Sequence, residues 1–192
     1  MGDSHPTIGE RAASIYAWAQ SKGWWEGEKD DLETLQLISD EIAEAHEEYR
    51  HARDRLWWIE TENGQKPEGV GIELADAIIR ALDRSAHRGF DLDTIAAEWD
   101  GATTLLGLGT SIATYQALDD DFDLPENFGG ACFRVNGMVQ MMEGEADGSM
   151  TVMLIASLVA LIIRNGDDPE ELVTMKMAYN EHRAYRHGGL RS

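Results

Sequence analysis

Cysteine is nearly missing from this chain: Cys132 stands alone among 192 residues. An internal disulfide and a thiolate metal site are therefore excluded, and the reducing cytoplasm is the compartment this usage implies. Basic residues are also scarce, with 16 Lys and Arg against 36 Asp and Glu, a formal net charge of -20. Such a field repels nucleic acid and anionic lipid, so neither is an expected partner. Long apolar runs are absent too. The longest, Met150 to Ile163, is too short to span a bilayer and reads as a buried helix. The start, Met1 to Arg11, lacks the basic residues and apolar run of a signal peptide. Strand patterns are almost nowhere to be found.

What is present is helical periodicity over a hydrophobic content of 43%, enough for one core or two small docked ones. Ile8, Ala12, Ile15 and Ala19 repeat at helical spacing and stop at Lys22-Gly23. Asp30 or Asp31 is placed to cap a long helix carrying Leu35, Ile38, Ile42, Ala45 and Tyr49 on one face, predicted to reach at least Arg53. Thr61 to Glu68 reads as a polar loop. Ile72, Ala75, Ile79 and Leu82 line a third helix ending at Gly89, and Asp91 restarts a short one to about Trp99. The acidic stretch Asp119 to Glu126, with Pro125, marks a boundary between two helical halves.

The halves read as a worn repeat at an offset of 77 residues. Gly89-Phe90-Asp91-Leu92 is echoed by Gly166-Asp167-Asp168-Pro169, each after a long apolar helix. The same offset sets Met150, Met153, Ser157 and Ala160 over Glu73, Asp76, Arg80 and Asp83, so the second copy has lost its polar stripe.

Acids stand out at helical spacing. Glu41 and Glu44 share one face of the second helix, and Glu73 and Asp76 share one face of the third. Two antiparallel helices bring all four together, and four close carboxylates repel unless a hard cation such as Mg²⁺ or Mn²⁺ joins them. With 36 acids in the chain, acid-x-x-acid arises by chance about seven times, so spacing alone leaves a solvated acidic face equally open. At the other end Lys176, Arg183, Arg186 and Arg191 crowd the last seventeen positions with one acid, Glu181, and suit a phosphate or a solvated tail.

Three blocks taken together resemble the MazG-like pyrophosphohydrolases of the all-α NTP pyrophosphatase superfamily. They are Lys22-Gly23-Trp24-Trp25, the pair Glu41-Ile-Ala-Glu44 with Glu73-Leu-Ala-Asp76, and Lys176-Met-Ala-Tyr-Asn180 running on through Arg183 and Arg186 to Gly189. The family signature is ExxE, a variable spacer and ExxD; the 28 residues between Glu44 and Glu73 lie at the long end of its range. The resemblance covers residues 7–98 and 176–190, and residues 99–175 are extra.

The resemblance implies an all-α helical bundle, and the repeat offset, equal to the length of the extra residues, makes it two tandem units with the second degenerate, a departure from the family's single-unit pattern. Residues 1–98 would be the catalytic unit, 99–175 the inserted unit, and 176–192 a basic segment completing the site. It further implies Mg²⁺- or Mn²⁺-dependent hydrolysis of a (deoxy)nucleoside triphosphate to the monophosphate and pyrophosphate by a homodimer or higher homo-oligomer. Glu41, Glu44, Glu73 and Asp76 would ligate the metal, and Lys176, Asn180, Arg183 and Arg186 would hold the triphosphate, with Tyr179, Tyr185 and His187 as lesser candidates. By position next to the ExxE pair, Asp40, Glu48 and Glu47 are candidates for a general base, and exposed acids on such a helix are more commonly only solvated. Trp25, beside Trp24, is either a core anchor, the commoner role of a tryptophan after a helix, or a base-stacking platform; the acids Glu28, Asp30 and Asp31 either cap the next helix or, with a stacking Trp25, favour guanine and hence dGTP. The alternatives are a dUTP- or dCTP-directed pyrophosphatase of the same fold, and a non-enzymatic acidic helical binding protein. A di-iron bundle is disfavoured, because it needs Glu-x-x-His pairs and neither carboxylate motif has one.

Overall fold

The computed structural model describes residues 5–27, 30–51, 55–116 and 124–185. Among these the chain forms α1 (Ile8–Ser21), α2 (Asp31–Arg50), β1 (Trp57–Thr61), β2 (Gly64–Glu68), α3 (Val70–Arg88), α4 (Leu92–Asp100), α5 (Leu105–Gln116), α6 (Phe128–Met141), α7 (Ser149–Arg164) and α8 (Pro169–Glu181). The mostly helical class read from the periodicity is what is observed. No single helix among the described residues is long and apolar enough to cross a membrane.

Local chemistry sets the helix starts. Thr7 and Glu10 form a reciprocal capping box at α1, Asp30 accepts from the Leu32 N–H at α2, and Asp168 caps α8 with Pro169 in the first turn. At the far end, α2 stops at Arg50 with His51 as its C-cap, short of the predicted Arg53, which lies outside the described residues. Most of the 119–126 linker also lies outside them.

The stretch read as a polar loop is a β-hairpin. Trp57 to Thr61 pairs antiparallel with Gly64 to Glu68, leaving Glu62-Asn63 as a two-residue turn. The legible signal was Asn63-Gly64 after a run of aromatic and β-branched residues; Gly64 takes φ +100°, which a side chain resists. Gly69, between the hairpin and α3, is bound more tightly still. Its φ is +127°, and a Cβ there would lie 2.2 Å from the Arg55 carbonyl oxygen.

Helices α3 and α7 are the two central, most buried elements, and they pack on each other. The main helix contacts are unchanged when α1 to α4 are exchanged for α5 to α8: α1 on α3 becomes α5 on α7, and α8 on α3 becomes α4 on α7. One continuous apolar core runs through both sets of helices. The predicted division after residue 175 falls within α8, which runs unbroken across it.

Arg84 joins the two sets. Its guanidinium is 1% exposed and binds both Asp31 oxygens, at 2.7 and 2.9 Å, and Glu145 at 2.7 Å. Glu145 lies between α6 and α7 and also accepts from the Thr151 N–H. Arg84 holds the Asp31 carboxyl below its ordinary value.

Candidate metal centre

Helices α2 and α3 pack along their length, which sets the acid of one against the acids of the other. Carboxylate oxygens of Glu41, Glu73 and Asp76 all lie within 4.8 Å of one another. Glu41 and Glu73 are buried, and Asp76 is half-buried at the mouth. Glu44, the fourth residue of the predicted set, is exposed and outside this trio; it acts on Glu41 only through its charge.

The electrostatics are those of crowded acids. Burial first, and the Asp76 charge second, push Glu41 up to about 7. Burial likewise drives Glu73 up to about 9 against the pull of Lys176, helped by the hydrogen bond it shares with Glu68. Glu68 goes the other way. Burial opposes its charge, but the hydrogen bond with Glu73 and the Lys66 and Lys176 ammonium groups outweigh it, so Glu73 keeps the proton and Glu68 the charge. No helical spacing marks Glu68, because it ends the short strand β2 rather than lying on a helix face.

Cations of the chain partly neutralise this cluster. Arg80 Nε donates to Glu41 Oε1 at 2.6 Å. The Lys176 Nζ atom sits 2.7 Å from Asp76 Oδ2 and 3.9 Å from Glu73 Oε2. Burial opposes the charge on this lysine, but the neighbouring acids, Asp76 foremost, outweigh it and raise the ammonium above its ordinary value. The residue the resemblance gives to the triphosphate is thus engaged with two of the carboxylates.

Helix α8 is how the C-terminal block reaches the site past the extra residues. Leu172 approaches α3 where Gly71 has no side chain; a Cβ on Gly71 would lie 2.6 Å from Leu172 Cδ1. Lys22 Nζ donates to the Glu181 and Arg183 carbonyls, each at 2.9 Å, so the first and last blocks of the resemblance meet. Arg183 follows, donating to Asn180 Oδ1 at 3.2 Å with its guanidinium over the Tyr179 ring, in the field of Asp76 and Glu41. Tyr179 in turn meets Thr61 of the hairpin at 3.2 Å. Asn180 itself is buried. Arg186 and His187 lie outside the described residues, as do Glu28 and Arg191.

Other predicted residues are elsewhere. Asp40 is exposed and accepts from Gln36 at 2.8 Å. Glu48 accepts the Trp57 indole N–H at 2.9 Å, tying the hairpin to α2. Trp25 stacks on His87 with ring centroids 3.8 Å apart, meets Tyr16 edge-on, and donates its indole N–H to Asp83 at 2.9 Å. These contacts make it a packing residue of α1 and α3.

The donor set suits a hard divalent cation: three converging carboxyl groups, two of them pushed well above the ordinary carboxylate range mainly by burial and crowding, are relieved by added positive charge. Compared with protein-family models, curated proteins and solved structures, the chain has no significant match. What the site does must therefore be read from its own side chains.

Proposed function

We propose that this protein is a Mg²⁺- or Mn²⁺-dependent nucleoside triphosphate pyrophosphohydrolase. The observation that carries the reading is the convergence of Glu41, Glu73 and Asp76 within 4.8 Å, the first two buried and the third half-buried, with Arg183 held beside them by Lys22 and Asn180. Glu41, Glu73 and Asp76 would hold the metal, with Glu44 reaching it from the exposed side. A divalent ion there supplies charge neutralisation between an acidic site and a polyanionic substrate, together with polarisation of phosphoryl oxygens.

The chain's own residues do the rest. Arg183 binds the departing pyrophosphate, and Asn180 orients the guanidinium. A water oxygen forms a bond to the α-phosphorus, the bond from the α-phosphorus to the α–β bridging oxygen breaks, that oxygen leaves with its electron pair on pyrophosphate, and the water's proton passes to solvent, giving the monophosphate and pyrophosphate. The second helical set, which has no carboxylate at Met150, Met153, Ser157 or Ala160, is a degenerate copy of the first whose remaining task is to present α8.

A panel of ribo- and deoxyribonucleoside triphosphates incubated with Mn²⁺ tests this. Monophosphate and pyrophosphate in equal amounts are the expected products. A diphosphate with inorganic phosphate, or no turnover of any nucleotide, would reject it.

A further inference from the structure

Among the described residues, the two largest fully buried side chains are cationic, Arg84 and Lys176, each 1% exposed. Arg84 has a matched set of acceptors away from the site, in Asp31, Glu145 and the Met142 carbonyl. Lys176 instead enters the carboxylate trio and shares two of its three members, at 2.7 Å from Asp76 and 3.9 Å from Glu73. It comes from α8, and its reach depends on the close approach of Leu172 to Gly71. The oxygens it neutralises are those a divalent ion would use.

We propose that Lys176 is a tethered competitor for the divalent cation: it supports the metal-free protein by neutralising Asp76 and lying against Glu73, and it weakens metal binding at the same two side chains. This inference rests on the metal-dependent reading above. The physics is like-charge repulsion at short range, in a place where water and salt screen little. Arg80 is a weaker competitor, because its side chain is 38% exposed and can turn into solvent. The second helical set, lacking acids of its own at the matching positions, thereby controls loading of the first.

The test is Mn²⁺ binding by calorimetry, with thermal unfolding in EDTA, for the full-length wild type and for Lys176→Met and Lys176→Arg. Lys176→Met should melt lower than wild type without metal, yet bind Mn²⁺ at least about tenfold more tightly and gain a larger shift in melting temperature on Mn²⁺ addition. Lys176→Arg, which keeps the charge, should stay within about threefold of the wild-type affinity. Lys176→Gln gives the same comparison with an uncharged chain should the methionine variant not fold. A purely structural lysine would change the melting temperature alone. Equal or weaker Mn²⁺ binding by the uncharged variants overturns the competitor role while the metal-dependent reading stands. Absence of Mn²⁺ binding in the wild type and in every variant overturns both.

Discussion

Arg80 Nε and Glu41 Oε1 lie 2.6 Å apart, a guanidinium 38% exposed on a carboxylate 8% exposed, and this pair closes one side of the carboxylate trio. Breaking it from the acid side removes a ligand and leaves the arginine in place. Glu41→Gln, Glu73→Gln and Asp76→Asn should each keep the fold and lower kcat/KM by about a hundredfold or more, because an amide is an uncharged and poorer ligand for Mg²⁺. Glu44→Gln, at an exposed position outside the trio, should lose less. Steady-state kinetics beside Mn²⁺-induced shifts in melting temperature would show the ranking, and a Glu44 variant as impaired as the other three would contradict it.

The crowded acids also predict a pH dependence for the metal-free protein. Glu41 and Glu73 rise from an ordinary 4.5 to about 7 and about 9 in the folded state, so folding takes up protons there. Their stabilising contribution is complete below about 4.5 and is lost as pH climbs through 7 and then 9. In EDTA the melting temperature should fall between pH 5.5 and 9, and Glu73→Gln should flatten the upper part of that slope. Mn²⁺ should reduce the fall, because the ionised carboxylates then have a partner.

Arg84 gives a prediction about stability without activity chemistry. Replacing it with methionine leaves Glu145, whose side chain is 4% exposed, without its cation. Breaking a buried pair from one side costs about 3–5 kcal/mol. Urea unfolding should show that loss for Arg84→Met, with part of it recovered when Glu145→Gln is added.

Gly69→Ala should be costly for its size. The substitution meets both a left-handed φ and the Arg55 carbonyl, so about 2 kcal/mol or more is expected, measured in urea. Because the same joint orients Glu68 and Glu73, Mn²⁺ binding should weaken with it.

Met150 is half-buried against the core at the position matching Glu73. Met150→Glu should lower the melting temperature without raising activity, since a carboxylate pressed against the apolar core is costly to ionise. A stable and more active variant would contradict the degenerate-copy reading.

Trp25 is committed to His87, Tyr16 and Asp83. Trp25→Ala should therefore lower the melting temperature and leave the ratio of dGTP to dCTP turnover unchanged in a competition assay. A changed ratio would return Trp25 to the base site.

Helical periodicity is a local property, and the chain alone determined what depends on it: α1 from Ile8, Ala12, Ile15 and Ala19, the buried α7 from its apolar run, and the one-face spacing of Glu41 with Glu44 and Glu73 with Asp76. The hairpin was legible in principle from Asn63-Gly64, but its short strands carry little pattern. Only the tertiary structure decided which acids meet. Glu41 and Glu44 are equivalent in sequence, yet the rotation of α2 against α3 buries the first and exposes the second. Glu68 and Lys176 join the site from a hairpin and from a helix a hundred residues further on, through contacts at Gly69 and Gly71 that no spacing rule encodes. Charge convergence depends on distances between elements, and those distances are set by packing.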